Sequence, residues 1–340
     1  MSITTIALDI MGGDKGPHVF LPAIQRALTT HTSLHVIICG DEDTLFHFEK
    51  ALIPEFGPRV ASKICSQVVD MHIKPTVALR KMQDSSMRVA LDLVQSGEAD
   101  GCVSCGNTGA LMAMAYYVLK TIPGISRPAL VSALPTANKK KVLLLDLGAS
   151  INYDAENLLQ YAVMGSVLMR EIGGLAAPRV ALLNVGEEDI KGHSLIKHAD
   201  LLINQCPSVN YVGYVEGDTL FSGDVDVVVT DGFTGNVALK ASEGIAKLVM
   251  NEIREITKET WFVRLISKLT LPLLKKLYQR MNPDQYNGAS LIGLRGTVVK
   301  SHGNASADAC YYAIKQAVVE VQQGVPDKIR TKIEQELMEH

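Results

Sequence analysis

Between Val225 and Ile245 the chain reads VDVVVTDGFTGNVALKASEGI, and its period changes halfway. Val225, Val227, Val228 and Val229 make a short β-branched run of the kind that fills a buried parallel strand, whereas the residues from Val237 onward are good helix formers. Asp231-Gly232-Phe233-Thr234-Gly235-Asn236 lies between them. Its two glycines permit a tight turn, which is expected to deliver free N–H groups at a helix start, where the dipole favours an anion. The arrangement recurs in Asp100 to Ala115, where Gly106-Asn107-Thr108-Gly109 repeats the G-x-T-G of Gly232-Phe233-Thr234-Gly235. Ile6 to Asp14, Val142 to Ala149 and Val180 to Gly186 are further strands that end in glycine. Ligands of open parallel sheets sit beyond the carboxyl ends of the strands, so these five ends are expected to line one site.

Strands and helices alternate along the rest of the chain, which implies a parallel sheet with helices on both faces. Strands are predicted over Ile3 to Ile10, Leu34 to Cys39, Val60 to Val69, Val142 to Leu147, Val180 to Val185 and Thr297 to Val299, with an edge strand over Tyr211 to Glu216. Helices are predicted over Val19 to Leu28, Ser85 to Ser96 and Ala155 to Ile172, and Pro123 to Lys141 reads as a segment broken by proline and glycine. The 340 residues are 47% hydrophobic, enough for a substantial core, and no linker divides them, so residues 1–340 are read as a single α/β domain. A net charge of −3 gives no general attraction to nucleic acid. The opening MSITTIALDIMGGD has no basic leader, no apolar run reaches the roughly 20 residues of a spanning helix, and the cysteines form no secreted framework. A cytoplasmic protein is expected.

One stretch breaks the alternation. Residues 256–285 are read as a protruding helical hairpin in which Trp261, Leu265 and Leu269 share a face and Pro272 interrupts the helix. Arg264, Lys268, Lys275 and Lys276 make it basic. Such a hairpin suits a membrane surface or an acidic protein partner, and equally a dimerisation arm or an ordinary solvated helix face.

The usual nucleotide fingerprints, G-x-x-x-x-G-K-[ST] and G-x-G-x-x-G, are absent, as is a G-x-S-x-G elbow. Cys102-Val103-Ser104-Cys105 spells C-x-x-C, but residues three apart in a strand face opposite ways and no second pair exists, so no metal is expected. What remains is glycine turns with a few cations. Lys191, on the loop after Val185, is placed to clamp a phosphate as a point charge, and His302 follows a strand end near the expected mouth.

Asp9-Ile10-Met11-Gly12-Gly13-Asp14, Gly106-Asn107-Thr108-Gly109-Ala110, Arg127-Pro128-Ala129, Leu144-Leu145-Asp146-Leu147-Gly148-Ala149, Leu182-Leu183-Asn184-Val185-Gly186, Thr230-Asp231-Gly232-Phe233-Thr234-Gly235-Asn236 and Lys300-Ser301-His302-Gly303 together resemble the PlsX family of phosphate acyltransferases, in that family's order and over nearly the whole chain. Ile10 and Cys105 stand where the family usually has alanine, so those two side chains are expected to carry no chemistry. The resemblance implies a three-layer α/β/α fold with a mostly parallel sheet, akin to phosphate acetyltransferases and isocitrate dehydrogenases. It further implies transfer of a fatty acyl group from acyl carrier protein to inorganic phosphate, without cofactor. The acyl phosphate would feed phospholipid synthesis through a downstream membrane glycerol-3-phosphate acyltransferase, and the protein would be a homodimer peripherally docked on an anionic membrane surface.

By the same resemblance Lys191 and Asn236 are the residues on which the reaction depends, and His302 fits its K-x-H-G pattern. The turn residues Asp9, Gly12, Gly13, Asp14, Asn107, Thr108, Gly109, Asp146, Gly148, Asn184, Gly186, Asp231, Gly232, Thr234 and Gly235 are the candidate substrate contacts. The chemistry is compatible with these absences, because a thioester is already activated and phosphate is itself an anionic nucleophile; positioning and oxyanion stabilisation remain for the protein. Two other readings stay open. A nicotinamide-dependent dehydrogenase of related fold needs an acidic ribose partner about 20 residues past the first glycine turn, and none occurs after Asp14 until Asp41. The other is a noncatalytic carrier-protein or membrane scaffold.

Overall fold

Valine- and leucine-rich runs pair into an eleven-stranded sheet in a computed structural model that describes residues 3–150, 153–186, 192–256 and 288–339. Lys191 and residues 257–287, which include Trp261, Arg264, Leu265, Lys268, Leu269, Lys275 and Lys276, lie outside the described residues. The first half of the sheet holds β1 (Thr4–Asp9), β2 (Leu34–Gly40), β3 (Val60–Ile64), β4 (Gly101–Ser104) and β11 (Thr297–Lys300), in the order β3-β2-β1-β4-β11 and all parallel. The second half continues through β10 (Ala289–Ile292), β5 (Ala129–Pro135), β6 (Lys141–Leu145), β9 (Val227–Val229), β7 (Arg179–Leu183) and β8 (Asn210–Val215).

Two of these strands correct the picture of one open parallel sheet. β10 runs antiparallel to both neighbours, and β5 is antiparallel to β6 as well. The carboxyl ends of β6, β9 and β7 therefore point opposite to those of β1, β4 and β11. The five glycine-ended strands do not converge on one edge but form two groups. β5 escapes a sequence reading because Pro128 and Pro135 bracket it, while its interior, Leu130 to Leu134, is an apolar run like any other buried strand.

Helices cover both faces. On one face, α1 (Phe20–Thr30), α2 (Glu42–Phe56) and α9 (Ala307–Gln323) pack over the first half, and α6 (Ala155–Gly173), α7 (Ser194–Asn204) and α10 (Val325–Glu339) over the second. The other face carries α3 (Pro75–Lys81), α4 (Ser86–Ser96), α5 (Thr108–Leu119) and α8 (Gly232–Ile256). Alternation along β5 sends Leu130 and Leu134 to this second face and Val131 to the first. Cys102 and Cys105 likewise fall in different cores.

Glu320 of α9 is 3% exposed and accepts hydrogen bonds from the Ser290 hydroxyl of β10 and from Gln316 at 2.8 Å. Burial outweighs those bonds and pushes its carboxyl up to about 7. An unfolded chain releases this proton near pH 4.3, so between there and pH 7 the fold holds one proton more and loses stability as the pH rises. Glu320→Gln is expected to raise the melting temperature at pH 8 by more than at pH 4.5, as read by differential scanning calorimetry.

Candidate active site

The turn after β1 is built around a buried carboxylate. Asp9 is 1% exposed and accepts hydrogen bonds from Ser86 at 2.5 Å and Ser104 at 2.6 Å. Burial nevertheless raises its pKa, against the pull of Ser104 and Ser86. The Gly12 backbone stacks so closely on the next turn that a Cβ there would sit 2.6 Å from the Gly106 nitrogen, and the Asp14 N–H donates to the Gly303 carbonyl at 2.7 Å. Asn107 caps α5 by accepting from the Ala110 N–H at 2.9 Å, and its own amide donates to the Met71 carbonyl at 2.6 Å. Gly109 packs against Pro75. The ends of β1, β4 and β11 thus form one nest of turns.

A second nest belongs to β6 and β9. Asp146 is fully buried, and its carboxylate accepts from the backbone N–H of Leu130 at 2.9 Å, Ala149 at 3.0 Å and Ser150 at 2.7 Å. Burial raises its pKa in spite of these bonds. Gly232 and Gly235 lie directly on this loop, since a Cβ on either would collide with the Ser150 or Asp146 carbonyl. Gly148, at φ 114°, faces the Asn236 side chain. Asp231 accepts from the N–H groups of Phe233 and Thr234 at 2.9 Å each. Several amides that the sequence led us to expect free for an anion are therefore held by Asp231, Asn107 and Asp146, because buried amides need a partner in the fold itself.

Between the two nests lies a cavity of about 880 Å³, walled by β5 on one side and α8 on the other. Thr108, Lys300, Ser301 and His302 reach it from the first nest, and Leu147 and Asn236 from the second. Lys300 is 6% exposed, and burial lowers its pKa to about 8 although Cys105 and Asp9 oppose the shift. Glu243 of α8 pairs with His302 at 3.0 Å and with Lys240 at 3.1 Å. Burial works to raise the Glu243 carboxyl, but these two partners hold it down at about 2. The polar part of the wall thus combines four lysines, Lys139, Lys140, Lys240 and Lys300, and a histidine with one carboxylate. Among its apolar lining residues are Leu130, Leu134, Leu239 and Val249.

Of the candidate residues, Thr108, Asn236 and His302 line this cavity. Asp9, Gly12, Gly13, Asp14, Asn107 and Gly109 build the first nest; Asp146, Gly148, Asp231, Gly232, Thr234 and Gly235 build the second. Asn184 and Gly186 follow β7, where Gly192 packs on the Asn184 side chain. Lys240 and Glu243 belong to no motif of the sequence, and Lys300 enters it only as the first residue of the K-x-H-G pattern. Lys240 sits one helical turn past Asn236 and Glu243 two, the pair at i,i+3 spacing, and Lys300 closes an apolar strand, so their position relative to the turns is what marks them.

The α/β/α fold is shared with solved phosphotransacylases. A phosphotransacetylase from Streptococcus pyogenes superposes with a TM-score of 0.60 at 19% identity, covering 94% of each chain. A branched-chain phosphotransacylase from Enterococcus faecalis gives 0.58 at 16%, covering 93% of this chain and 99% of that one. In sequence, the phosphate acyltransferase of Pseudoalteromonas atlantica is 53% identical over 335 residues, 98% of each chain, and that of Shewanella woodyi 50% identical over 339 residues, 100% of this chain and 99% of that one. The family model described as "Fatty acid synthesis protein" matches residues 4–328. The chain belongs to this phosphate acyltransferase family.

The second nest depends on an ionised acceptor. Asp146→Asn turns an NH₂ group toward backbone donors and is expected to lower the unfolding free energy by about 1–3 kcal/mol in chemical denaturation.

Proposed function

We propose that the protein transfers a fatty acyl group from acyl carrier protein to inorganic phosphate, yielding acyl phosphate for phospholipid synthesis. One observation carries this reading: a single cavity sets buried Lys300, together with Lys240 and His302, beside an apolar wall, which is what an anionic nucleophile and a hydrocarbon acyl donor require together. Family membership agrees with it. In the reaction a phosphate oxygen attacks the thioester carbonyl to give a tetrahedral oxyanion; the C–S bond then breaks and the thiolate leaves with the electron pair. A thiolate of pKa near 8.5 is a good leaving group, so the protein's share is to hold phosphate and stabilise the oxyanion.

Lys300, Lys240 and Lys191 are assigned to phosphate, and the Asn236 amide to the oxyanion. His302, bonded to Glu243, lines the same wall. Asp9, Asp146 and Asp231 are assigned to shaping the turns rather than to touching substrate. No described helix is long and apolar enough to cross a membrane. Peripheral docking on an anionic membrane surface, a homodimer, cytoplasmic residence and delivery of product to a membrane glycerol-3-phosphate acyltransferase complete the proposal. The basic segment containing Trp261 and Lys268 is assigned to the membrane or the acidic carrier protein.

Incubating the full-length protein with acyl-acyl carrier protein and phosphate, with no nucleotide added, should form acyl phosphate, trapped as its hydroxamate. No product would refute the proposal, and a product dependent on nicotinamide would favour a dehydrogenase. Lys300→Met is expected to raise KM for phosphate about tenfold at pH 7, the loss of one charge-assisted hydrogen bond. In the unaltered protein that KM should climb as the pH passes about 8, where Lys300 loses its charge, and the climb should flatten in the variant.

A further inference from the structure

Cysteine is spread unevenly over this fold. Cys206 lies in the core of the second half, while Cys39 of β2, Cys65 just past β3, Cys102 of β4, Cys105 just past β4 and Cys310 of α9 all belong to the first half. All six are thiols, and all are buried. The sulfurs of Cys105 and Cys310 are 3.7 Å apart. Cys105 stands between β4 and the Gly106-Asn107-Thr108 turn, packed so that a Cβ on Gly13 would lie 3.2 Å from its own. Cys310 is the fourth residue of α9, and its N–H donates to the Ser306 carbonyl at 2.9 Å. The pair therefore bridges the turn that carries Thr108 to the cavity and the segment that follows Lys300.

The surroundings of this pair differ from those of the other thiols. Ser301 lines the cavity, and its side chain hydrogen-bonds to the Cys105 sulfur. Lys300 is near enough that its ammonium group and that sulfur each favour the other's charged form. The hydrogen bond with Cys310, helped by Lys300 and Ser301, holds the Cys105 thiol below its ordinary pKa in spite of burial. Burial instead pushes the Cys102 thiol up, so the C-x-x-C of β4 divides into one inert and one reactive thiol. Cys39 and Cys65 also bond to each other, but the charged groups beside them are the carboxylates of Asp9 and Asp84, which disfavour a thiolate.

We propose that Cys105 and Cys310 form a site of reversible oxidation, which reacts with a hydroperoxide admitted through the cavity and closes as a disulfide beside Lys300. The Cys105 thiolate attacks one peroxide oxygen, the O–O bond breaks, and hydroxide leaves with the electron pair and takes up the proton that Cys105 gave up. The Cys310 sulfur then displaces the hydroxyl of the Cys105 sulfenic acid, which leaves as water with the Cys310 proton. With hydrogen peroxide the sum is two thiols oxidised to one disulfide and one peroxide reduced to two waters. The sulfurs need to close by roughly 1.7 Å, from 3.7 Å to the ~2.05 Å of the bond. A small dithiol reverses the step by exchange. Oxidation takes an anionic neighbour from Lys300 and so weakens the hold on phosphate, a consequence that rests on the acyl transfer proposed above.

The test treats the reduced full-length protein with hydrogen peroxide, blocks remaining thiols with iodoacetamide, maps disulfides by mass spectrometry and assays the same samples for acyl phosphate. A disulfide joining Cys105 to Cys310 should form and disappear again with dithiothreitol. The oxidised protein should show a KM for phosphate at least about threefold higher, the size of losing one neighbouring opposite charge, with the KM for the acyl donor unchanged. Cys105→Ala should show the raised KM from the start and no further response to peroxide. Cys310→Ala should keep the starting KM when reduced and form no disulfide, with Cys105 stopping at a sulfenic acid that dimedone traps. No link between Cys105 and Cys310 in the unaltered protein, or oxidation confined to Cys39 and Cys65, would overturn the proposal, as would an oxidised protein whose KM for phosphate stays the same. The disulfide mapped in a protein that makes no acyl phosphate even when reduced would uphold the oxidation site and refute the transfer instead.

Discussion

Two carboxylates that see almost no water hold this architecture in place. Asp9 ties the ends of β1 and β4 to α4 through Ser104 and Ser86, and Asp146 gathers the N–H groups of Leu130, Ala149 and Ser150 beneath the first turn of α8. A buried carboxylate is costly unless its oxygens are filled by donors, so each fixes the path of the backbone around it. Glycines follow as a consequence, because Gly12 beside Gly106, and Gly232 and Gly235 beside the Asp146 loop, leave no room for a Cβ. The nests engage several of their polar groups internally. They act on substrate mainly by where they place their neighbours.

Those neighbours define the chemistry. With several turn amides engaged, positive charge reaches the cavity through side chains, Lys300 at the end of β11, Lys240 on α8, and Lys139 and Lys140 past β5. Lys300 is costly to bury, and its neighbours Cys105 and Asp9 offset part of that cost. The same cavity continues into aliphatic residues, Leu130 and Leu134 of β5 and Ile245 and Val249 of α8. An ammonium group and a hydrocarbon slot on one wall suit a reaction in which a small anion meets a long acyl chain.

Much of this was readable in the chain itself. The strand, glycine turn and helix of Val225 to Ile245 form as the change of period predicts, with β9 over Val227–Val229 and α8 from Gly232. The edge position of Tyr211 to Glu216 is likewise found, as β8 closes the sheet. The reversal of direction was hidden, because β10 is four residues long and β5 sits between prolines, so neither presents a pattern that local propensity can recognise. The fate of the turn amides was hidden for another reason. Glycine spacing reveals where the backbone bends, but whether its N–H groups face an anion or Asp146 depends on a residue far away in sequence. Lys300 illustrates the same gap, since a lysine after a strand reads as a surface charge until the fold buries it.

The central claim is that one small anion binds in the cavity between the two nests, beside Lys300 and Asn236. A crystal structure of the protein soaked with tungstate, an electron-dense tetrahedral analogue of phosphate, locates that anion directly. The account predicts tungstate within hydrogen-bonding reach of the Lys300 Nζ and on the Asn236 side of the cavity. Tungstate bound only outside this cavity, with the Lys300 and Asn236 side chains untouched, would contradict it.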